Sequence, residues 1–240
     1  MTKSTANEPY IDASNHRPPT MPPASAAELF ARAEIIAGRT LGELGDSADV
    51  VVPEHFKQHK GFTGQLIELW LGASAGSKQQ QDFPELGIEL KTIPIDQQGQ
   101  VLETTYVCYV HLLAHIAEQW QTSAVRNKLA QVLFIPVVGE RAIPPRERQL
   151  GMPILWQPSE QESALLAHDW EELMELISLG KVEQITAKMG EALHIRPKAA
   201  NGRALTDAIG NDGQTIQTRP RGFYLRKPFT QAIINRAFGL

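Results

Sequence analysis

The sequence contains a single cysteine, Cys108, among its 240 residues. An intramolecular disulfide is therefore excluded, and with it the class of small secreted folds held together by disulfides. No stretch approaches the roughly 20 uninterrupted apolar residues of a membrane-spanning helix. The N-terminal MTKSTANEPY also lacks the basic-then-apolar pattern of a secretion signal. We therefore expect a soluble cytoplasmic protein with no membrane contact.

An excess of positive charge is also missing, since 23 Lys and Arg stand against 27 Asp and Glu, a net charge of -4. The charge is unevenly distributed, however. From His194 to the C-terminus eight Lys or Arg accompany only two Asp, a net +6, which leaves -10 on the rest of the chain. A basic segment on an acidic chain is a typical footprint for phosphate, because the acidic part repels DNA elsewhere. Charge alone fits a solvated tail equally well.

The hydrophobic share of 42% predicts a globular protein with one large domain or two small lobes. Residues 1–24 are rich in Pro, Ser and Ala and predict a disordered tail, which leaves 25–240 as the folded part. Capping residues and apolar spacing predict five helices. They begin at Ser25 (with Glu28), at Thr40 (with Glu43), near Thr63, at Ser159 (with Glu162) and at Thr230. In the helix over 63–73, Leu66, Leu69 and Trp70 are expected to share the apolar side.

Three central segments rich in β-branched and aromatic residues, 87–95, 101–113 and 131–138, are predicted to be strands of one sheet. Shorter strands are predicted at 182–187 and 192–197, with an Asn-Asp-Gly turn at 211–213. Strands alternating with helices indicate the α/β class.

The most informative segment runs from Asp82 through Glu89 and Lys91. Side chains alternate along a strand, so Glu89 and Lys91 project from the same face. If the PELG turn folds the chain back, Asp82 approaches Glu89, and two adjacent carboxylates are costly unless a cation neutralises them. Magnesium suits such a site, because it prefers oxygen ligands and completes its shell with water and phosphate.

This arrangement fits phosphodiester hydrolysis, which needs a polarised phosphorus and an activated water. Lys91 would orient or help deprotonate that water, and Glu68 on the preceding helix would hold a second ion or a metal-bound water. One or two ions fit equally well. Alternatively, Glu89 and Lys91 form a solvent-facing strand pair and Glu68 is an exposed helix residue. The Asp, then Glu-x-Lys pattern is typical of restriction-endonuclease-like nucleases, although Gln81 stands where those usually have Pro.

Longer strings carry a more specific resemblance. They are TLGEL, LIELWLGASAGSK, QDF, LGIELKTIPI, LETT, DWEELMELI, HIRPKAA and RGFYLRK. From about Thr40 to Phe229 the sequence resembles the MutH family of mismatch-repair endonucleases. The resemblance implies a restriction-endonuclease-like mixed central sheet flanked by helices, with two lobes forming a DNA-binding cleft. It also implies that Glu68, Asp82, Glu89 and Lys91 form the cutting centre, with the three acids binding Mg²⁺.

The resemblance places the catalytic residues around 60–128 and the DNA-reading segments around 194–229. It implies seven DNA-binding residues, namely Lys60, Tyr106, Lys128, Arg196, Pro197, Lys198 and Tyr224. Lysines would lie near the backbone, and Arg196, Pro197 and Tyr224 near the adenine of GATC. N6 methylation adds bulk to that adenine and removes a donor hydrogen, so a closely packed Tyr224 could sense it. On the residues alone, a buried strand for FYL and a surface cation for Arg196 are the favoured reading.

The activity implied is nicking of the unmethylated strand of unmethylated or hemimethylated GATC duplexes. The implied partners are a MutL-like activator recruited by a MutS-like mismatch sensor, and the protein alone is expected to be a monomer. Two alternatives stay open at this point. One is a stand-alone restriction enzyme of the same site preference that cuts both strands unaided, and the other is a DNA-binding module without chemistry.

Overall fold

A computed structural model describes residues 17–56, 59, 61–73, 80–113, 118–199 and 203–240. Lys60 and residues 1–16 of the predicted tail lie outside the described residues. The last part of that tail, 17–24, has no helix or strand but packs against the first helix. Pro23 is buried there, and the Met21 carbonyl accepts a hydrogen bond from Arg32 at 2.9 Å. The described end of the predicted tail thus contacts the first helix, and disorder of the tail stays a prediction from its composition.

Six α-helices lie in the described part of the chain. They are α1 (Ala26–Ile36), α2 (Leu41–Ser47), α3 (Phe62–Leu71), α4 (Ala124–Leu129), α5 (Glu160–Ser178) and α6 (Lys227–Phe238). The predicted capping boxes at Thr40 and Ser159 are both present. Ser25 also caps its helix, but the Glu28 carboxylate accepts from the Ala24 amide rather than from Ser25. The last helix begins three residues before the predicted start, with proline in its first turn.

Among the described residues, eight strands form two three-stranded sheets and a hairpin. They are β1 (Glu89–Ile95), β2 (Thr105–Tyr109), β3 (Val132–Val138), β4 (Ile154–Trp156), β5 (Leu193–Pro197), β6 (Thr206–Ile209), β7 (Thr215–Thr218) and β8 (Arg221–Leu225). The first sheet has the order β1-β3-β4, with β1 parallel and β4 antiparallel to β3. The second sheet, β2-β8-β5, is antiparallel, and β6 pairs with β7 across the predicted turn.

Two strand predictions were wrong. The three central segments do not share one sheet, because β2 pairs with β8, which lies more than 100 residues further along the chain. Apolar content identifies a strand but not its partner. The segment 182–187 contains a short 3-10 helix, Val182–Gln184, rather than a strand.

The first sheet separates two hydrophobic cores. Leu90 and Leu133 face the core formed with α1, α2 and α3. Ile93 and Phe134 face the core that contains α5, α6 and the second sheet. Burial on both faces explains why β3 is almost continuously apolar. A mixed sheet with helices packed on it is consistent with the predicted α/β class.

Helix α3 packs against β1 with a different side from the one predicted. Leu66, Ile67 and Trp70 are buried, whereas Leu69 is 43% exposed. The indole of Trp70 donates to the Leu44 carbonyl at 3.1 Å, which fixes the helix against α2. Glu68 is left half-buried in this orientation. Across the described ranges, no helix is both long and apolar enough to span a bilayer.

Candidate metal centre and nucleic-acid interface

The turn between Asp82 and Glu89 folds the chain back as the sequence predicts. Phe83 and Ile88 exchange backbone hydrogen bonds of 2.9 and 3.2 Å around the short 3-10 helix Pro84–Leu86. Gly87 closes the turn at a φ of 66°, a left-handed conformation that favours glycine. The Asp82 carboxylate can then accept from the Leu90 amide at 2.8 Å, beside Glu89.

Gln81, which departs from the usual proline, supports this turn. Its side-chain amide donates to the carbonyl oxygens of Gly87 at 3.2 Å and Asn127 at 2.8 Å. These bonds tie the turn to α4. The replacement of proline by Gln81 therefore still supports the position of Asp82.

Glu89 begins β1 and is only 1% exposed. Its carboxylate contacts the ammonium groups of both Lys91 and Lys128, and Lys128 Nζ lies 2.9 Å from each carboxylate oxygen. Lys128 also donates to the Gln80 carbonyl at 3.1 Å. A buried carboxylate needs such partners, because desolvation of an unpaired charge is very costly.

Glu68 and Asp82 complete what we call the carboxylate–lysine cluster, defined as Glu68, Asp82, Glu89, Lys91 and Lys128. Burial raises the pKa of Glu68, and the Asp82 carboxylate raises it further. Burial and the Glu89 carboxylate raise the pKa of Asp82, against the lowering effect of the Leu90 amide and the two lysines. The acids are thus close enough to repel one another, and a bound cation would relieve that repulsion.

The cluster is not a preformed three-ligand metal site. Within the part of the chain that the structure describes, no group of three acidic, His or Cys side chains is arranged to hold an ion. Glu89 instead faces two ammonium groups. The donor chemistry of the cluster nevertheless fits a hard divalent cation, since burial and neighbouring carboxylates raise the pKa of both Glu68 and Asp82.

A second group of predicted residues meets on the second sheet, around a pocket of about 410 Å³ that we call the second-sheet pocket. Its lining comprises Leu102, Glu103, Thr104, Arg196, Pro197, Tyr224 and Lys227. Arg196 and Pro197 end β5 and are exposed, and Tyr224 lies on the neighbouring β8. The Arg196 guanidinium donates to the Thr104 hydroxyl at 3.2 Å. The structure thus brings together the three residues expected near the adenine.

Tyr106 and Lys198 lie beside this pocket. The rings of Tyr106 and Tyr224 are 5.3 Å apart in an edge-on arrangement, and Lys198 Nζ lies 4.3 Å from the Tyr106 ring centroid. The Tyr106 ring also packs against Gly222, where an added Cβ would lie 2.8 Å from a ring carbon. Burial raises the pKa of both tyrosines, so both phenols are neutral hydrogen-bonding groups at neutral pH.

The structure adds details that the sequence did not reveal. Lys128 was expected near the DNA backbone, but its ammonium lies on Glu89; a phosphate contact stays a prediction. Glu103, Thr104 and Lys227 were not selected, although the LETT and RGFYLRK strings contain them.

Three basic side chains of the C-terminal segment bind protein atoms instead of facing outwards unpaired. Arg221 and Arg236 form ion pairs with Glu183 and Glu162, and Arg226 binds backbone carbonyls.

Comparisons with known proteins identify the family of this chain. Residues 71–169 match the family model for the DNA mismatch repair enzyme MutH. The DNA mismatch repair proteins MutH of Escherichia coli O139:H28 and of Shigella dysenteriae serotype 1 are each 55% identical over 225 residues. Those alignments cover 94% of this chain and 98% of each relative. The chain belongs to the MutH family. The MutH match at 71–169 includes Asp82, Glu89, Lys91 and Lys128, and the longer MutH alignments extend across most of the remaining chain.

Proposed function

We propose that this MutH-family chain nicks the unmethylated strand of duplex DNA at GATC sites, using Mg²⁺ bound by Glu68, Asp82 and Glu89. The family makes it a DNA endonuclease of mismatch repair. Nucleases of the restriction-endonuclease type generally use a divalent metal. The observation that carries the proposal is the meeting of three carboxylates and two lysines at the end of β1.

A divalent ion in this position would polarise the scissile phosphate and make bound water a better nucleophile. Glu89 would offer the metal a carboxylate, both oxygens of which accept hydrogen bonds from lysine ammonium groups in this structure. The three acids would hold the metal through carboxylate oxygens, and the two lysine ammonium groups beside Glu89 would be placed to donate to a phosphate oxygen or to water. We assign the water to Lys91, because it shares a face of β1 with Glu89. We assign the phosphate to Lys128, whose ammonium reaches the cluster from α4.

The second-sheet pocket supplies the proposed base contacts. Arg196 and Tyr224 present a cation and a phenol at its wall, and adenine offers an acceptor and an amino donor in the major groove. Lys198 and Lys60 would contact phosphates, which position the protein without specifying sequence. An N6 methyl group would meet the Tyr224 side of the pocket and remove a donor hydrogen.

We assign a MutL-like activator and a MutS-like mismatch sensor as partners, a monomeric state in the absence of DNA, and the cytoplasm as location. A two-lobed cleft around the duplex would bring the carboxylate–lysine cluster and the second-sheet pocket onto one DNA site. A non-catalytic module is disfavoured because the acids and Lys91 are all present and adjacent. A stand-alone restriction enzyme differs in needing no activator.

The direct test is incubation with a supercoiled plasmid that contains GATC sites, with and without Mg²⁺. We expect open-circle product only with Mg²⁺, and none from a plasmid that lacks GATC. Linear product without a partner protein would instead support a stand-alone restriction enzyme. Hemimethylated and fully methylated duplexes then test methylation sensing. Equal nicking of both would overturn that part of the proposal.

A further inference from the structure

Asp169 is a buried carboxylate to which the proposed chemistry assigns no role. It lies on α5, within the DWEELMELI string, and is only 2% exposed. Its two oxygens accept from the backbone amides of three consecutive residues. The amide of Glu191 lies 2.9 and 3.0 Å from the two oxygens, that of Ala192 lies 2.7 Å from Oδ2, and that of Leu193 lies 2.8 Å from Oδ2. A protein carboxylate thus fills a site of the kind that backbone amides commonly form for anions.

Arg226, a cation, binds residues 187–190, which come just before the three residues that bind Asp169. Its Nη1 atom lies 2.9 to 3.3 Å from the four carbonyl oxygens of residues 187–190. The Arg226 backbone amide also donates to the Ala192 carbonyl at 2.8 Å. Segment 187–193 therefore directs its carbonyls to a cation and its amides to an anion, and hydrogen bonds to charged groups are stronger than those between neutral groups.

Glycine is required at the centre of this segment. Gly190 has a φ of 76°, and a Cβ there would lie 1.9 Å from the Leu193 carbonyl oxygen and 3.3 Å from Cγ of Asp169. The chain can close around the carboxylate only because that atom is absent. The tight turn and the buried carboxylate are therefore parts of one arrangement.

The segment leads directly into β5, and Arg226 directly follows β8. These strands pair from Leu193 opposite Leu225 to Pro197 opposite Arg221. We infer that Asp169 and Arg226 are positioning residues for DNA reading: they hold segment 187–193 so that β5 and β8 present Arg196, Pro197 and Tyr224 to the second-sheet pocket. This inference rests on the proposed function, because it explains how that function selects its site.

Both contacts are sensitive to small changes. Asp169→Asn removes the negative charge and places a buried NH2 group where an oxygen accepts from a backbone amide, so that a donor faces a donor and the NH2 has no acceptor. Arg226→Met removes the cation but leaves the contacts of Asp169 in place. Loss of one good base contact lowers discrimination by roughly 5- to 150-fold, so a displaced β5 would be detected in the choice of site.

The test compares kcat/KM for nicking of a GATC duplex and of a GGTC duplex, at a temperature at which circular dichroism shows each protein folded. We expect both variants to lower the GATC to GGTC ratio by about tenfold, within the range for loss of a base contact. Amide hydrogen exchange in 187–193 should be faster in both. Leu29→Ala is the matched control, since Leu29 is buried in the other core. It should lower the melting temperature and leave the ratio unchanged.

If the GATC to GGTC ratio of kcat/KM values in both variants stays within about twofold of the wild-type ratio, the inference is overturned, because loss of a base contact lowers discrimination by roughly 5- to 150-fold. An equal loss in Leu29→Ala would also overturn it, because the effect would then be general instability. If Asp169→Asn does not fold, Arg226→Met decides. A wild-type protein that nicks GATC and GGTC alike would contradict the proposed function itself, which separates that failure from failure of the inference.

Discussion

The first and second sheets carry their proposed functional residues in different ways. The cluster at β1 consists of charges that are buried or half-buried, and three of its five members lie within ten residues of one another. The second-sheet pocket is open, and its residues come from three chain segments about 30 to 90 residues apart. Charges that repel one another are suited to holding a cation, whereas an open surface of aromatic and cationic groups is suited to contacting bases. The difference predicts that damage to the first sheet removes cutting and damage to the second alters selection.

Asp82→Ala should have the largest effect. Loss of a carboxylate ligand removes the chemistry that a metal supplies, so nicking in Mg²⁺ should fall below about 1% of wild type. Binding of a GATC duplex should change little, because the second sheet is untouched. Plasmid nicking and fluorescence anisotropy measure the two quantities. Glu85→Ala, an exposed residue of the same turn, is the control and should retain activity. Wild-type turnover in Asp82→Ala would refute the site.

Substitutions in the second-sheet pocket should have a smaller and different effect. Arg196→Ala and Tyr224→Ala should each lower discrimination at the adenine by about 1–3 kcal/mol. That is roughly 5- to 150-fold in the ratio of kcat/KM values for GATC and an altered site. Arg219→Ala, exposed in the same basic segment, should leave the ratio as it is. If discrimination in the two pocket variants equals that of wild type, the pocket does not read the base.

The smallest expected effect is on stability. Glu68→Gln removes a half-buried charge whose pKa is raised by burial and by Asp82. An acid with a raised folded-state pKa destabilises the fold above that pKa, and the cost disappears as pH falls and the acid becomes neutral. Without metal at neutral pH, we expect a gain of about 0.5–1 kcal/mol, reduced by solvent screening.

A gain of that size raises the melting temperature by about 1–4 °C for a chain of this length. The difference between Glu68→Gln and wild type should shrink on acidification, which thermal melts across pH can follow. Glu85→Gln serves as the exposed control. A gain that persists at acidic pH would mean that repulsion among the acids is not its cause.

The amino-acid sequence by itself determined the parts of this protein that depend on neighbours along the chain. Strand alternation places Glu89 and Lys91 on one face, the PELG turn brings Asp82 back to them, and capping residues mark the starts of α2 and α5. Each of these outcomes follows from the geometry of a few consecutive residues.

Only the tertiary structure decided which distant segments meet. It placed β2 beside β8 rather than beside β1, turned Lys128 onto Glu89, and set Asp169 against the residues that precede β5. The type of a residue indicates that it needs an apolar contact or an opposite charge, but which residue supplies that contact depends on how all the elements pack together. For that reason the approach of Asp82 to Glu89 and Lys91 could be predicted from a short string, whereas the contact of Asp169 with the residues before β5 could not.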